Sequence, residues 1–210
     1  MLYDFYFWDY DGTLFDSYPC IVRAYAKGLA DLDIRLDSDE LYSLTKVSLG
    51  HAAQVIGEEY KVPAQEIIAR YRVYEHKEGW GASKPFEGTR EMLQSVVDHG
   101  GRNFLYTHRD ISGIEILKHF GLIHLFSDFI TSEDNFPKKP HPDALLHLVS
   151  KHGLDKSRCI MMGDREIDVL SGLNAGMSSA LFDPEGICSP TRAAHRFASM
   201  HAARETLVER

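Results

Sequence analysis

From Thr89 onward the chain alternates between stretches of helical period and short apolar runs, and this constrains the fold more than any other feature. Helical spacing over Thr89 to His99 leads to a strand at Arg102 to Tyr106, and Ile111 to Phe120 leads to a short strand near Phe129 to Thr131. Pro142 to His152 then leads to a strand at Arg158 to Met162, and Ile167 to Ala175 to a last strand near Ser178 to Phe182. Strands separated by helices of about ten residues build a parallel sheet covered on both faces, so the fold class is α/β.

One strand precedes this region. Tyr3 to Trp8 is rich in aromatic residues and stops at the polar turn Asp9-Tyr10-Asp11-Gly12-Thr13. Between it and the alternating region only helices are predicted: Cys20 to Leu32, Ser38 to Lys46, His51 to Tyr60 and Ala64 to Lys77, with Ser38 and Pro63 as start signals. The helical block therefore reads as an insertion. The expected division is a core of residues 1–16 and 86–210 and a helical domain of residues 17–85. Phe15 to Ser17 and the breaker-rich Gly79 to Pro85 are its two linkers, expected to act as hinges.

In an open α/β sheet the chemistry lies beyond the carboxyl ends of the strands. The first strand exits into Asp9 and Asp11, the next into Thr107 and His108, the third leads to Lys138-Lys139-Pro140, and the fourth ends in Gly163-Asp164 with Asp168 close behind. This set suits phosphoryl transfer, in which a protein mainly positions groups and neutralises charge. Asp9 can attack phosphorus as a carboxylate nucleophile, and Asp11 can protonate the leaving oxygen and later deprotonate water. Carboxylates facing a phosphate require a cation, and Mg2+ matches their hard oxygens; Asp9, a carbonyl near Asp11, and Asp164 are its expected ligands. Lys139 adds fixed positive charge, held extended by Pro140. Thr107 can donate its hydroxyl to a phosphoryl oxygen, Gly12 lets backbone amides approach closely, and His108 is a candidate substrate contact.

Asp9-Tyr10-Asp11-Gly12-Thr13-Leu14 resembles the DxDGT signature of the haloacid dehalogenase superfamily. Thr107 stands where that family keeps a Ser or Thr, Lys139-Pro140 where it keeps Lys-Pro, and Gly163 to Asp168 where it keeps GDxxxD; Asn174-Ala175-Gly176-Met177 is also similar to the family pattern. His108 departs from the Asn often found after the Ser or Thr. The resemblance implies a Rossmann-like core with an inserted four-helix cap, as in phosphoglycolate phosphatases and sugar-phosphate phosphatases or mutases. It also implies that Asp9 is the nucleophile, Asp11 the acid/base, Asp164 a metal ligand and Asp168 its support. The expected activity is release of phosphate from a small phosphorylated metabolite through an aspartyl-phosphate.

A sugar phosphomutase is the nearest alternative, although Lys46-Val47-Ser48-Leu49 lacks the arginine expected just after the serine. A carbon–halogen hydrolase fits the paired carboxylates less well. A non-catalytic regulatory protein on the same fold is the alternative of another class. The net charge of −8 opposes general affinity for nucleic acid, while a small anion needs only a few cations focused in a cleft. No apolar run approaches the roughly 18 residues of a membrane span. Cys20, Cys159 and Cys188 form neither a metal pattern nor a disulfide framework, which points to a reducing cytoplasm. Oligomeric state is not legible from one sequence.

Overall fold

A computed structural model describes residues 1–78 and 82–209. The chain divides into two compact units, one of Met1–Phe15 with Pro85–Arg210 and one of Asp16–Lys84.

In the first unit, strands β1 (Phe5–Trp8), β4 (Arg102–Tyr106), β5 (Phe126–Ile130), β6 (Cys159–Gly163), β7 (Ser178–Phe182) and β8 (His195–Phe197) form one sheet. Its order is β5-β4-β1-β6-β7-β8, and every pairing is parallel. β1 lies at the centre, with β4 on one side and β6 on the other. The chain order therefore reverses across β1, and the crevice where ligands bind in such sheets opens there. Trp8 is level with Leu105 on β4 and with Met162 on β6, so the three strands end together and their exits lie side by side.

Alternation along β1 sends consecutive side chains to opposite faces, yet Tyr6, Phe7 and Trp8 are all fully buried. A strand buried on both faces needs helices on both. Tyr6 and Trp8 pack in a cluster with Met92, Leu93 and Val96 of α5 (Thr89–Asp98), Leu117 of α6 (Ser112–His119), and Ala203 and Leu207 of α9 (Met200–Leu207). Phe7 joins Phe104, Met161 and the Ala144, Leu145 and Leu148 stripe of α7 (Asp143–His152) on the other face. Helix α8 (Glu166–Asn174) follows β6 directly.

Two features of this unit differ from expectation. β5 begins at Phe126 rather than Phe129, because the polar pair Ser127-Asp128 interrupts its apolar run. Asp128 is compensated there by His152 Nε2 at 2.6 Å and Lys151 Nζ at 2.8 Å. The sheet also continues past β7 into β8, which α9 follows, and the sequence reading, which ends its strands at Phe182, includes neither. β8 is only His-Arg-Phe, and its strand character comes from pairing with Ala180 to Phe182.

The second unit is helical: α1 (Tyr18–Ala30), α2 (Ser38–Val47), α3 (Leu49–Tyr60) and α4 (Ala64–Glu78). Its own core gathers Tyr25, Leu29, Leu41, Ala53, Ile56, Ile67 and Tyr71. Asp37 caps α2 through Asp39 N, and Ser48 caps α3 through His51 N, which separates two helices that follow each other without a loop. The chain crosses between the units at β2 (Phe15–Asp16) and β3 (Lys84–Pro85), which pair as a two-stranded sheet. Of the expected linker Gly79 to Pro85, Gly79, Trp80 and Gly81 lie outside the described residues. Among the described residues no helix is long and apolar enough to cross a membrane.

Candidate active site

Three strand exits and one loop bring the expected groups together. Asp9 follows β1, Thr107 follows β4, Asp164 follows β6, and Asp168 lies one turn into α8; all four are buried. Asp9, Asp164 and Asp168 each offer a carboxylate oxygen, and these atoms lie within 4.8 Å of one another. Gly163 makes the approach possible. A Cβ at residue 163 would stand 2.1 Å from Asp168 Cβ, closer than any real contact allows.

Lys139 enters this cluster from the loop before α7. Its side chain has no exposed surface, and its Nζ lies 2.6 Å from Asp9 Oδ1, 2.9 Å from Asp168 Oδ1 and 2.8 Å from the Tyr106 carbonyl. The ammonium also sits 4.5 Å from the centre of the Tyr106 ring. Lys139, rather than its exposed neighbour Lys138, is thus the lysine that reaches these carboxylates. Among the contacts that hold its loop, the Lys139 backbone N–H donates to His108 Nε2 at 3.0 Å, and Asn174 Nδ2 donates to the Pro140 carbonyl at 3.0 Å.

The charges do not balance. Three buried carboxylates meet Lys139 and Arg165, whose Nε lies 3.8 Å from both Asp164 and Asp168. One negative charge is left over, and Asp9 Oδ2 is buried without accepting a hydrogen bond. Burial raises the proton affinity of the Asp9 carboxyl; Lys139 opposes this, and the nearby Asp168 adds to it, so Asp9 lies above the ordinary carboxylate range. For Asp168, burial is outweighed by Lys139 and Arg165, and the carboxyl lies below that range. The same two carboxylates overcome the burial of Lys139 and keep its ammonium charged. A hard divalent cation suits this all-oxygen, net-negative donor set.

The remaining candidates have distinct surroundings. Asp11 is not among the three clustered carboxylates; its Oδ1 accepts from Arg109 Nη2 at 2.7 Å. Gly12 takes the positive φ of 73° that its turn needs, and its N–H is used on the Phe15 carbonyl at 2.8 Å. Thr107 Oγ1 accepts the Arg109 N–H at 3.0 Å, which fixes the bend after β4. His108 is pushed down to about 4 by burial and then by the charges of Lys139 and Arg165, so its ring is neutral and Nε2 serves as an acceptor.

Sequence reasoning did not anticipate the Asp11–Arg109 pair or the parts that His108 and Asn174 play in holding the lysine loop. Arg109 follows the strand-exit Thr and His and so stands where a site residue would be sought, but its partner is 98 residues away.

A family profile described as haloacid dehalogenase-like hydrolase matches residues 6–182. The phosphoglycolate phosphatase of Aliivibrio fischeri is 30% identical over 184 residues, covering 81% of this chain and 80% of that protein. The pyrophosphatase PpaX of Halalkalibacterium halodurans is 27% identical over 182 residues, covering 82% of this chain and 80% of its own. The crystal structure of a hydrolase from Streptococcus pneumoniae matches with a TM-score of 0.69 at 29% identity, covering 99% of both chains.

Proposed function

Because the chain belongs to the haloacid dehalogenase-like hydrolases and is a phosphatase, we propose that it hydrolyses a small phosphorylated metabolite through a phosphorylated Asp9. Phosphoglycolate is the leading substrate on the strength of the Aliivibrio relative, and pyrophosphate is the competitor that a test must separate from it. The observation that carries the reading is the buried cluster in which Lys139 bridges Asp9 and Asp168 at the sheet's switch point.

Asp9, Asp164 and Asp168, with a backbone carbonyl near Asp11, would hold Mg2+. Such an ion would supply positive charge that offsets the negative charge of the carboxylates and the substrate. In the first half-reaction the Asp9 carboxylate attacks phosphorus while the ester bond breaks. Asp11 gives a proton to the departing oxygen. The Thr107 hydroxyl and the Lys139 ammonium hold the oxygens of the transferred phosphoryl group, over which its charge is spread. In the second, Asp11 takes a proton from water, the water oxygen attacks phosphorus, and the acyl phosphate bond breaks to return Asp9 and release phosphate.

The helical unit is proposed as a cap domain, with the linkers at Phe15 to Ser17 and Gly79 to Pro85 as its hinges. The three free thiols support a reducing, cytoplasmic setting.

Phosphate release from a panel of phosphorylated metabolites, measured with Mg2+ and with chelator for wild type and Asp9→Asn, tests the reading. Mg2+-dependent release that disappears in Asp9→Asn upholds it. Release that survives in the variant would overturn the role of Asp9, and isomerised sugar phosphate without free phosphate would replace hydrolysis with mutase activity.

A further inference from the structure

The phosphatase reading, on which this inference rests, places the leaving oxygen against Asp11. Whatever reaches Asp11 also reaches Arg109, because the Arg109 guanidinium touches the Asp11 carboxylate at 2.7 Å. We propose that Arg109 reads a second anionic group on the leaving part of the substrate, so that the preferred substrates carry a carboxylate or a further phosphate within a bond or two of the scissile oxygen.

Several observations converge on this residue. The guanidinium is aimed by its surroundings: its carbon sits 5.2 Å from the centre of the Tyr10 ring, and its backbone N–H is fixed on Thr107 Oγ1. Tyr10 is itself stacked on Phe15 with ring centroids 4.5 Å apart, so the surface under the arginine is rigid. The side chains of Arg109 and Asp11 are 15% and 24% exposed, which leaves an edge of the pair open to a ligand while most of it is shielded. Partial shielding is the setting in which a charge-assisted contact with a planar anion contributes most, and a guanidinium presents its N–H donors as a fork matched to carboxylate or phosphate.

The other cations of the site are placed differently. Lys139 is fully enclosed between Asp9 and Asp168, and Arg165 faces Asp164 and Asp168. Both therefore act on the transferred phosphoryl side. Arg109 is the cation beside Asp11, on the side from which the alcohol departs. A neutral alcohol arriving there would meet an ion pair it cannot match. When Asp11 carries the proton it gives to the leaving oxygen, the guanidinium has lost its counter-ion, and an anionic tail supplies one.

The test compares kcat/KM for 2-phosphoglycolate and for ethyl phosphate, which has a similar tail without the carboxylate, in Mg2+-loaded wild type, Arg109→Met and Arg109→Gln. Wild type is expected to favour phosphoglycolate by at least about tenfold, mainly through KM, and both variants to bring the ratio towards one. Arg109→Gln retains a donor towards Asp11, so it separates loss of charge from loss of the Asp11 contact and serves if Arg109→Met does not fold. Binding supplies a second readout. In Asp9→Asn, 2-phosphoglycolate should raise the unfolding temperature more than ethyl phosphate does, and adding Arg109→Gln should remove the difference. A ratio unchanged in both variants, or a wild type indifferent to the carboxylate, overturns the inference while leaving the phosphatase intact. No phosphate release from either ester by wild type would instead remove the reading beneath it, and the inference with it.

Discussion

The backbone N–H of Lys139 donates to Nε2 of His108 across 3.0 Å, so the lysine that bridges Asp9 and Asp168 is held in place by a neutral histidine. A protonated ring would present a hydrogen at that nitrogen and break the contact.

Acid stability should therefore depend on His108. Its folded-state value, about 4, lies below the ordinary 6.5. The unfolded chain consequently takes up the proton first, and the contribution of His108 is fully present above pH 6.5 and is lost as pH falls towards 4. Discounted for the partial exposure of the ring, the loss at pH 5 is about 1–2 kcal/mol. His108→Asn keeps an acceptor and cannot titrate. Urea denaturation at pH 7 and pH 5 should show a smaller drop for the variant, and equal drops would remove His108 as the cause.

Lys139→Met should be costly when divalent cations are absent. It strands Asp9 and Asp168 without the ammonium they share, and breaking a buried ion pair typically costs about 3–5 kcal/mol. Mg2+ should recover part of this by neutralising the same carboxylates. Thermal unfolding in chelator and in Mg2+ measures both, and a melting temperature equal to wild type in chelator would contradict the charge account.

Asp9→Asn should separate activity from stability. Turnover is expected to fall by at least about 10³-fold, since the amide oxygen is a poor nucleophile. The fold should be as stable as wild type or more so, because one of three clustered buried carboxylates has become neutral. A variant that unfolds more easily in chelator would sink this view of the cluster.

Gly163→Ala should damage the site more than its single methyl suggests. The added Cβ meets Asp168 Cβ at 2.1 Å and Cγ at 2.4 Å, so α8 or the end of β6 must shift. Overpacking of this kind costs about 1–3 kcal/mol. Activity should fall together with Mg2+ affinity, and a variant retaining wild-type affinity by calorimetric titration would mean that Asp168 is not a ligand.

Legibility in the sequence follows how local the deciding physics is. Arg102 to Tyr106 and Ser178 to Phe182 are strands over the predicted residues because each apolar run is bounded by residues that end it. Asp9, Thr107 and Asp164 could be picked out because each directly follows a predicted strand, and Asp168 because it lies four residues beyond Asp164. β5 was blurred by Asp128, whose presence in a strand makes sense only beside Lys151 and His152. β8 had no pattern of its own, since three residues including His195 and Arg196 become a strand only by lying next to β7. Helix α9 did carry a start signal, Ser199, whose hydroxyl caps Ala202 N, ahead of the apolar positions Met200, Ala203 and Leu207. What no motif conveyed was pairing across the chain, as between Asp11 and Arg109 or His108 and Lys139, where folding alone brings the partners together.

The pairing of β2 with β3 bears on ancestry. The chain departs at Asp16 and comes back at Lys84 on a neighbouring strand, so the ends of the excursion are adjacent. A hairpin could join those ends as well as four helices do. A lineage could then lengthen, shorten or exchange everything between them without disturbing the register of Trp8 with Leu105 and Met162. Selection can act on the excursion at one pace and on the carboxylates at another.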